Sequence, residues 1–192
     1  IESVRDAASG EDAGRRRVSS LYDDIIDVFQ MNGELQKELK EAMPVLRERF
    51  LVSLLNGAQL TPEELGERMN MYFDVHFEQC RVIVSILYLE DFDRYATERS
   101  LSPELIGLSI SGMIPSLAWE MGVECLCVHT DISEIVVISD AERPDPQGIE
   151  AMLRHLQQKI GTDWNLPATI AICDTPVDLT DIRSGYKRAK ET

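Results

Sequence analysis

The pattern of apolar positions predicts a small sheet. Three apolar runs have the length and β-branched composition of buried strands: RVIVSILYL at 81–89, IVVI at 135–138 and ATIAIC at 168–173. A fourth run, VECLCV at 123–128, precedes the polar stretch 130–134 and the second of these strands. The short separation predicts that these two strands fold back on each other as a hairpin.

Helix signals lie between the predicted strands. Pro103 follows Ser102 at the start of a helix that reaches about 121, and Pro146 starts one that Gly161 ends. A last helix covers 181–192. The order β-α-β-β-α-β-α predicts an α+β fold with an antiparallel sheet of the ferredoxin-like or nucleotidyl-cyclase type.

A heptad pattern precedes the sheet region. Its a and d positions are Val18, Leu21, Ile25, Val28, Asn32, Leu35 and Leu39. A single buried Asn at an a position favours a two-stranded parallel coil, so this seam predicts a homodimer. The alternative is an amphipathic helix that packs on its own domain, because the seam is short and Gly33 weakens the helix.

Pro44 interrupts this helical pattern. It either kinks the helix or opens a new one, and we predict that it acts as a hinge. Two further helices follow, the second opened by a capping box at Thr61. The predicted organisation is a linker and dimeric coiled coil over 1–43, a helical neck over 44–79 and a sheet domain over 80–192.

Composition narrows the classes of function. The 192 residues include 34 acidic and 19 basic ones, which gives a formal net charge of −15. Because a surface with this much negative charge repels phosphate backbones, we expect no nucleic-acid binding by this segment. No apolar run approaches the roughly 18 residues of a membrane span. No phosphate-binding loop or nucleophile motif occurs.

The four cysteines form no C-x-x-C pair. Cys80, Cys125, Cys127 and Cys173 are expected to be buried, reduced thiols of a cytoplasmic domain. The alternative is a metal site, because the side chains of a C-x-C pair on a strand face one side and His129 lies nearby. No second cysteine pair is present to complete such a site.

The predicted hairpin resembles the signature hairpin of the GGDEF domain of diguanylate cyclases. In that family a hairpin turn that ends in Glu leads directly into a hydrophobic strand. With the two strands aligned, the five motif positions fall on Asp131, Ile132, Ser133, Glu134 and Ile135. Only Glu134 is kept.

The end of the chain extends this resemblance to about 81–192. The strand ATIAIC is followed by a helix, as in the cyclases, where that helix carries the pattern Ala-Asp-x-Ala-Leu-Tyr-x-Ala-Lys. Tyr186, Ala189 and Lys190 match this pattern. The resemblance implies a degenerate GGDEF-like domain.

The replaced residues imply a loss of catalysis. A cyclase binds GTP at a glycine turn, where Ile132 places a β-branched side chain. Its Asp-x-Asp-x-Phe pattern falls on 88–92, so Tyr88 replaces one metal carboxylate while Glu90 survives. We therefore expect no cyclase activity and no bound metal or cofactor. The acids of these segments are expected to be solvated loop residues: Glu90, Asp91, Asp131 and Glu134.

The helices before the sheet make the family resemblance more specific. Together with the domain they resemble the cytoplasmic part of transmembrane AraC-type transcription regulators. There an extracellular sensor, a membrane helix and a HAMP-like coil precede the degenerate domain, and a DNA-binding helix-turn-helix follows it. The resemblance implies a segment on the cytoplasmic side of the membrane, in a membrane-anchored parent that touches DNA only through a helix-turn-helix outside this chain. The chain is accordingly expected to be a piece of a longer protein.

Three functions follow from the sequence. The first is a non-enzymatic signal-relay and dimerisation module that couples the sensor to the helix-turn-helix through a two-state interface. The second is a small-molecule or nucleotide sensor that uses the old cyclase cleft. The third is a weak diguanylate cyclase, against which the lost glycines argue. Sequence alone does not separate the first from the second.

Overall fold

The structure of the chain is a computed structural model, which describes residues 41–73, 75, 77, 80–142 and 146–192. The chain divides into two compact units, Ile1–Val45 and Leu46–Thr192. Of the first unit, the described residues are 41–45, and all of them are helical. The predicted seam from Val18 to Leu39 lies outside the described residues.

Two helices open the described part. Helix α1 covers 41–55, so helical residues precede Pro44 as well as follow it. Gly57, at φ 91°, ends this helix by donating its N–H to the Leu54 carbonyl at 2.9 Å. Helix α2, Pro62–Tyr72, begins with the capping box that the sequence predicts, in which Thr61 and Glu64 each bond the other's backbone N–H.

One antiparallel sheet forms the centre of the second unit. Its strand order is β2-β3-β1-β4, and β5 also pairs with β1. The strands are β1 (Arg81–Leu89), β2 (Cys125–Asp131), β3 (Glu134–Asp140), β4 (Ala168–Ile172) and β5 (Val177–Asp178). The predicted α+β class and its antiparallel sheet are therefore confirmed.

The remaining helices connect and cover the strands. They are α3 (Phe92–Arg99), α4 (Pro103–Glu120), α5 (Pro146–Trp164) and α6 (Ile182–Glu191), with a 3₁₀ turn at Leu179–Asp181 before the last. The sequence did not predict α3, because only two of its eight residues are buried. Among the described residues no single helix has the length and apolar character of a membrane span; α3 and α4 reach it only together, across a bend of 112°.

Two predicted boundaries are wrong. Helix α5 continues past Gly161 to Trp164, because nothing at the glycine stops it, and it is followed by Asn165 in the left-handed region at φ 50°. The hairpin turn is limited to Ile132 and Ser133, since Asp131 and Glu134 already pair across the two strands.

The sheet separates two apolar cores. Alternate residues of β1 enter the first core, with α1, α2 and α6: Val82, Val84 and Ile86. The intervening residues enter the second core, with α3, α4 and α5: Ile83, Leu87 and Leu89. Strands that are buried on both faces carry continuous apolar runs, which explains why IVVI does not alternate. From Leu46 onward, the helices of the predicted neck are part of the same compact unit as the sheet.

Helix α6 lies very close to the sheet at Gly185. A Cβ atom at this position would lie 2.8 Å from Val177 Cγ2 and 2.9 Å from Val84 Cγ2, both closer than carbon atoms pack. By contrast, nothing lies within 4 Å of a Cβ atom at Gly161 in α5. The absence of a side chain at Gly185 therefore sets the distance between α6 and β1.

This contrast predicts opposite effects of the same substitution. We expect Gly185→Ala to lower the free energy of unfolding by about 1–3 kcal/mol through overpacking. Gly161→Ala should raise it by up to about 1 kcal/mol, because alanine is the better helix former. Urea denaturation of the two variants checks this, and equal effects would contradict the close approach at Gly185.

Candidate functional site

The one motif acid that the sequence keeps is buried. Glu134, the first residue of β3, is only 7% exposed. Its Oε1 accepts hydrogen bonds from Thr130 Oγ1 at 2.5 Å and from the Tyr186 hydroxyl at 2.5 Å. Its Oε2 forms an ion pair with Lys190 Nζ at 3.3 Å. With Tyr88, which pairs with Glu134 across β1 and β3, these residues form what we call the Glu134 cluster.

Helix α6 supplies two members of this cluster from one face. Tyr186 and Lys190 are four residues apart, a spacing that brings side chains together on a helix. Lys190 Nζ lies 4.7 Å from the centre of the Tyr186 ring, within cation–π range. The cyclase pattern that these residues resemble places Lys three residues after Tyr, so the match is in residue type and not in register.

Two pKa values reflect this environment. Burial raises the pKa of Tyr88, and the nearby charge of Glu134 raises it further. The hydrogen bond with Tyr186 raises the pKa of Lys190, and the Glu134 carboxylate adds to this effect. At neutral pH the cluster therefore holds a neutral Tyr88 and a charged Lys190. The cation and the hydroxyl donors compensate the buried carboxylate.

The other motif residues lie apart from this carboxylate. Asp131 is exposed and accepts the Ile132 N–H at 2.7 Å. Ser133 is half-buried, and its carbonyl accepts the Leu89 N–H at 2.9 Å. Ile135 is fully buried in the second core. The hairpin thus presents three motif side chains in three different environments.

The surviving acid of β1 has a different partner. Glu90 is exposed and accepts a hydrogen bond from Thr169 Oγ1. Glu90, Asp91 and Asp131 are all exposed, as expected, although Asp131 is the last residue of β2 and not a loop residue. The expectation of a solvated acid is wrong for Glu134, because residues about fifty positions further along the chain cover that side chain. Among the described residues, no three His, Cys, Asp or Glu side chains are grouped closely enough to hold a metal ion.

The cysteines also differ in environment. Cys173 is buried, whereas Cys125 and Cys127 are half-buried on one face of β2. Burial raises the pKa of Cys125 to about 12 and that of Cys127 to about 11, so both remain protonated thiols at neutral pH. The expectation of buried thiols is confirmed for Cys173, is only partly met by Cys125 and Cys127, and is wrong for Cys80, which is exposed. Cys80 precedes β1, outside both cores.

A cavity of about 350 Å³ adjoins the hairpin. It lies between α1, the start of α4 and the end of β2, and its lining residues are Glu48, Pro103, Glu104, Gly107, Leu108, His129, Thr130, Asp131 and Ile132. Thr130 belongs both to this lining and to the Glu134 cluster. Sequence reasoning missed this cavity. One available signal was the polar residue His129, which continues the face of β2 that carries the two cysteines.

Comparison with known proteins finds no match in sequence and a distant similarity in structure. No family model matches the chain, and no curated protein matches it. Among solved structures, the chain is similar to the diguanylate cyclase SiaD from Pseudomonas aeruginosa, determined in complex with its activator SiaC. The identity is 12% and the TM-score 0.42, over 96% of this chain and 75% of that chain. A likeness at this level assigns neither a family nor an activity.

The cluster predicts the consequence of removing one hydroxyl. Tyr186→Phe should lower the free energy of unfolding by about 1–3 kcal/mol, because buried Glu134 loses a hydrogen-bond donor. Tyr72→Phe is the matched control, since the Tyr72 hydroxyl donates no hydrogen bond to the described residues; we expect a change within about 0.5 kcal/mol. Urea denaturation measures both, and a Tyr186→Phe effect no larger than the control would contradict the cluster's role.

Proposed function

We propose that this chain is a non-enzymatic signal-relay and dimerisation module built on a degenerate GGDEF-like domain. The observation that carries this proposal is the burial of Glu134. The carboxylate that the motif keeps is used inside the protein, where it ties the β2–β3 hairpin to α6. A catalytic carboxylate has to reach a metal or a substrate, and this one has its oxygens occupied by Thr130, Tyr186 and Lys190.

The tip of the hairpin supports the same conclusion. Ile132 stands at the turn, 39% exposed, where the cyclase motif has a glycine. Its branched side chain occupies space that a close backbone–phosphate contact requires. Tyr88 stands where the cyclase pattern has a metal carboxylate, and its raised pKa keeps it protonated at neutral pH. A protonated phenol is a poor ligand for Mg²⁺.

The first core supplies a physical route for a relay. Helix α1 leads into the second unit, and α6 is its last helix; both pack into the first core. They also approach each other directly: a Cβ atom at Gly57, which ends α1, would lie 2.7 Å from Arg183 Cδ on α6. Packed elements of this kind move together and not independently, so a displacement of α1 would be transmitted to α6.

The parent protein completes the proposal. We place this module on the cytoplasmic side of the membrane, in a membrane-anchored AraC-type regulator with a HAMP-like linker. The coil formed by the seam from Val18 to Leu39 would bring two copies together, and Pro44 would act as the hinge of the linker helix. DNA binding would belong to a helix-turn-helix outside this chain. A change in the angle between two coiled helices is the type of two-state input that such a relay needs.

Small-molecule sensing is the second candidate function. The cavity beside the hairpin favours it, because its volume of about 350 Å³ falls within the range of small-molecule sites, roughly 300–1,000 Å³. Its lining includes Thr130, so a ligand there would touch a residue that holds Glu134. Sensing and relay are compatible, since a ligand would bias the same two-state element.

A cyclase assay tests the absence of catalysis. The purified chain is incubated with GTP and either Mg²⁺ or Mn²⁺, and the products are separated by chromatography. We expect no cyclic di-GMP above a control without protein, because the hairpin lacks the glycine turn and Tyr88 of β1 replaces the first metal carboxylate. Product that appears with the wild-type chain and disappears with Glu134→Gln would overturn the proposal.

Sedimentation analysis tests dimerisation. We expect a dimer at tens of micromolar, and Leu35→Glu should weaken it roughly a hundredfold, about 3 kcal/mol, because a charge at a d position is buried without a partner. Gln30→Glu adds the same charge at an f position, outside the predicted seam, and should leave the dimer intact. A wild-type monomer, or equal effects of the two variants, would contradict the parallel coil.

A further inference from the structure

We propose that the cavity beside the hairpin binds a small organic cation with an apolar body. The cavity has two kinds of lining. Pro103, Gly107, Leu108 and Ile132 supply apolar surface, which would bury a ring or a short hydrocarbon chain. Glu48, Glu104 and Asp131 supply carboxylates, and no lysine or arginine is among the lining residues.

The charge of this lining determines whether the cavity favours a cationic or an anionic ligand. Local hydrogen bonds hold two of the carboxylates: Ser102 Oγ donates to Glu104, and the Ile132 N–H donates to Asp131. The bond from Ser102 also lowers the pKa of Glu104, so this carboxylate stays ionised at neutral pH. A phosphate or carboxylate ligand would meet three like charges here and no compensating cation. The negative potential of these side chains therefore favours a cationic ligand.

His129 forms part of the cavity wall. It is half-buried, and its Nε2 is shielded from solvent and has no hydrogen-bond partner among the described residues. Its ring packs tightly against α4, since a Cβ atom at Gly107 would lie 3.0 Å from His129 Cε1. Buried polar atoms in proteins nearly always have a partner. Nε2 is an exception that a ligand in the cavity does not reach either, so His129 contributes to the site as part of its wall.

The volume restricts the ligand further. About 350 Å³ lies at the lower end of the range for small-molecule sites, so one ring with a short amine chain fits and a dinucleotide does not. Binding would also affect residues outside the cavity lining. Thr130, on the lining, donates to Glu134, which in turn holds Tyr186 of α6. This inference rests on the second candidate function above, whose ligand class it names; it is independent of the relay, because binding is measured without any parent protein.

The test uses three probes that share one apolar body. Phenethylamine is cationic, phenethyl alcohol is neutral and phenylacetate is anionic at pH 7. Each is titrated into the full chain by calorimetry, and by NMR with the His129 imidazole signals as the local readout. We expect saturable binding of phenethylamine to one site, at least tenfold weaker binding of the alcohol and none of phenylacetate. Equal binding of amine and alcohol, or no binding of the amine, would overturn the proposal.

Variants separate the cavity from the general acidity of the chain. Asp131→Asn and Glu104→Gln should each weaken phenethylamine binding roughly two- to fivefold, as expected for partly exposed ion pairs. Glu124→Gln removes the same charge at the opposite end of β2, away from the cavity lining, and should leave the affinity unchanged. All three side chains are exposed, so these variants should fold. An equal loss with Glu124→Gln would show nonspecific attraction and contradict the site.

Discussion

The central strand β1 is the constraint on which the second unit depends. It pairs with β3 on one side and with β4 and β5 on the other, and it is apolar on both faces. Both faces must therefore be covered, and the two cores do this with different sets of helices. Burial of this apolar surface is the main favourable term in folding. The need to cover both faces of β1 also explains why α1 and α2, which precede the sheet in sequence, are needed to complete the first core.

Glu134, at the end of that sheet, imposes a different constraint, because it is a charge that must be compensated and not an apolar surface that must be covered. A buried carboxylate is costly unless charge and hydrogen bonds compensate it, and here Thr130, Tyr186 and Lys190 do so. The compensation joins the hairpin to the last helix of the chain.

The cavity and the Glu134 cluster meet at Thr130. One side of that residue contributes to a cavity with an acidic and apolar lining, and its hydroxyl supports the buried carboxylate. Occupancy of the cavity, the position of the hairpin and the docking of α6 are thus linked by direct contacts. The relay and sensing proposals both act through the docking of α6. The relay would reach α6 from α1 through the first core, and a ligand would reach it through the hairpin.

The sequence by itself determined the elements whose signals are local. The continuous apolar run of β1 predicted its boundaries, the capping box predicted the start of α2, and the order of elements predicted the antiparallel α+β class. It missed α3, where only two residues are buried, and it misjudged the environment of Glu134. Tertiary structure alone decided that environment, since Tyr186 is 52 residues away from Glu134. A sequence pattern records periodicity over neighbouring residues, whereas the burial of a charge and the shape of a cavity depend on contacts between distant ones.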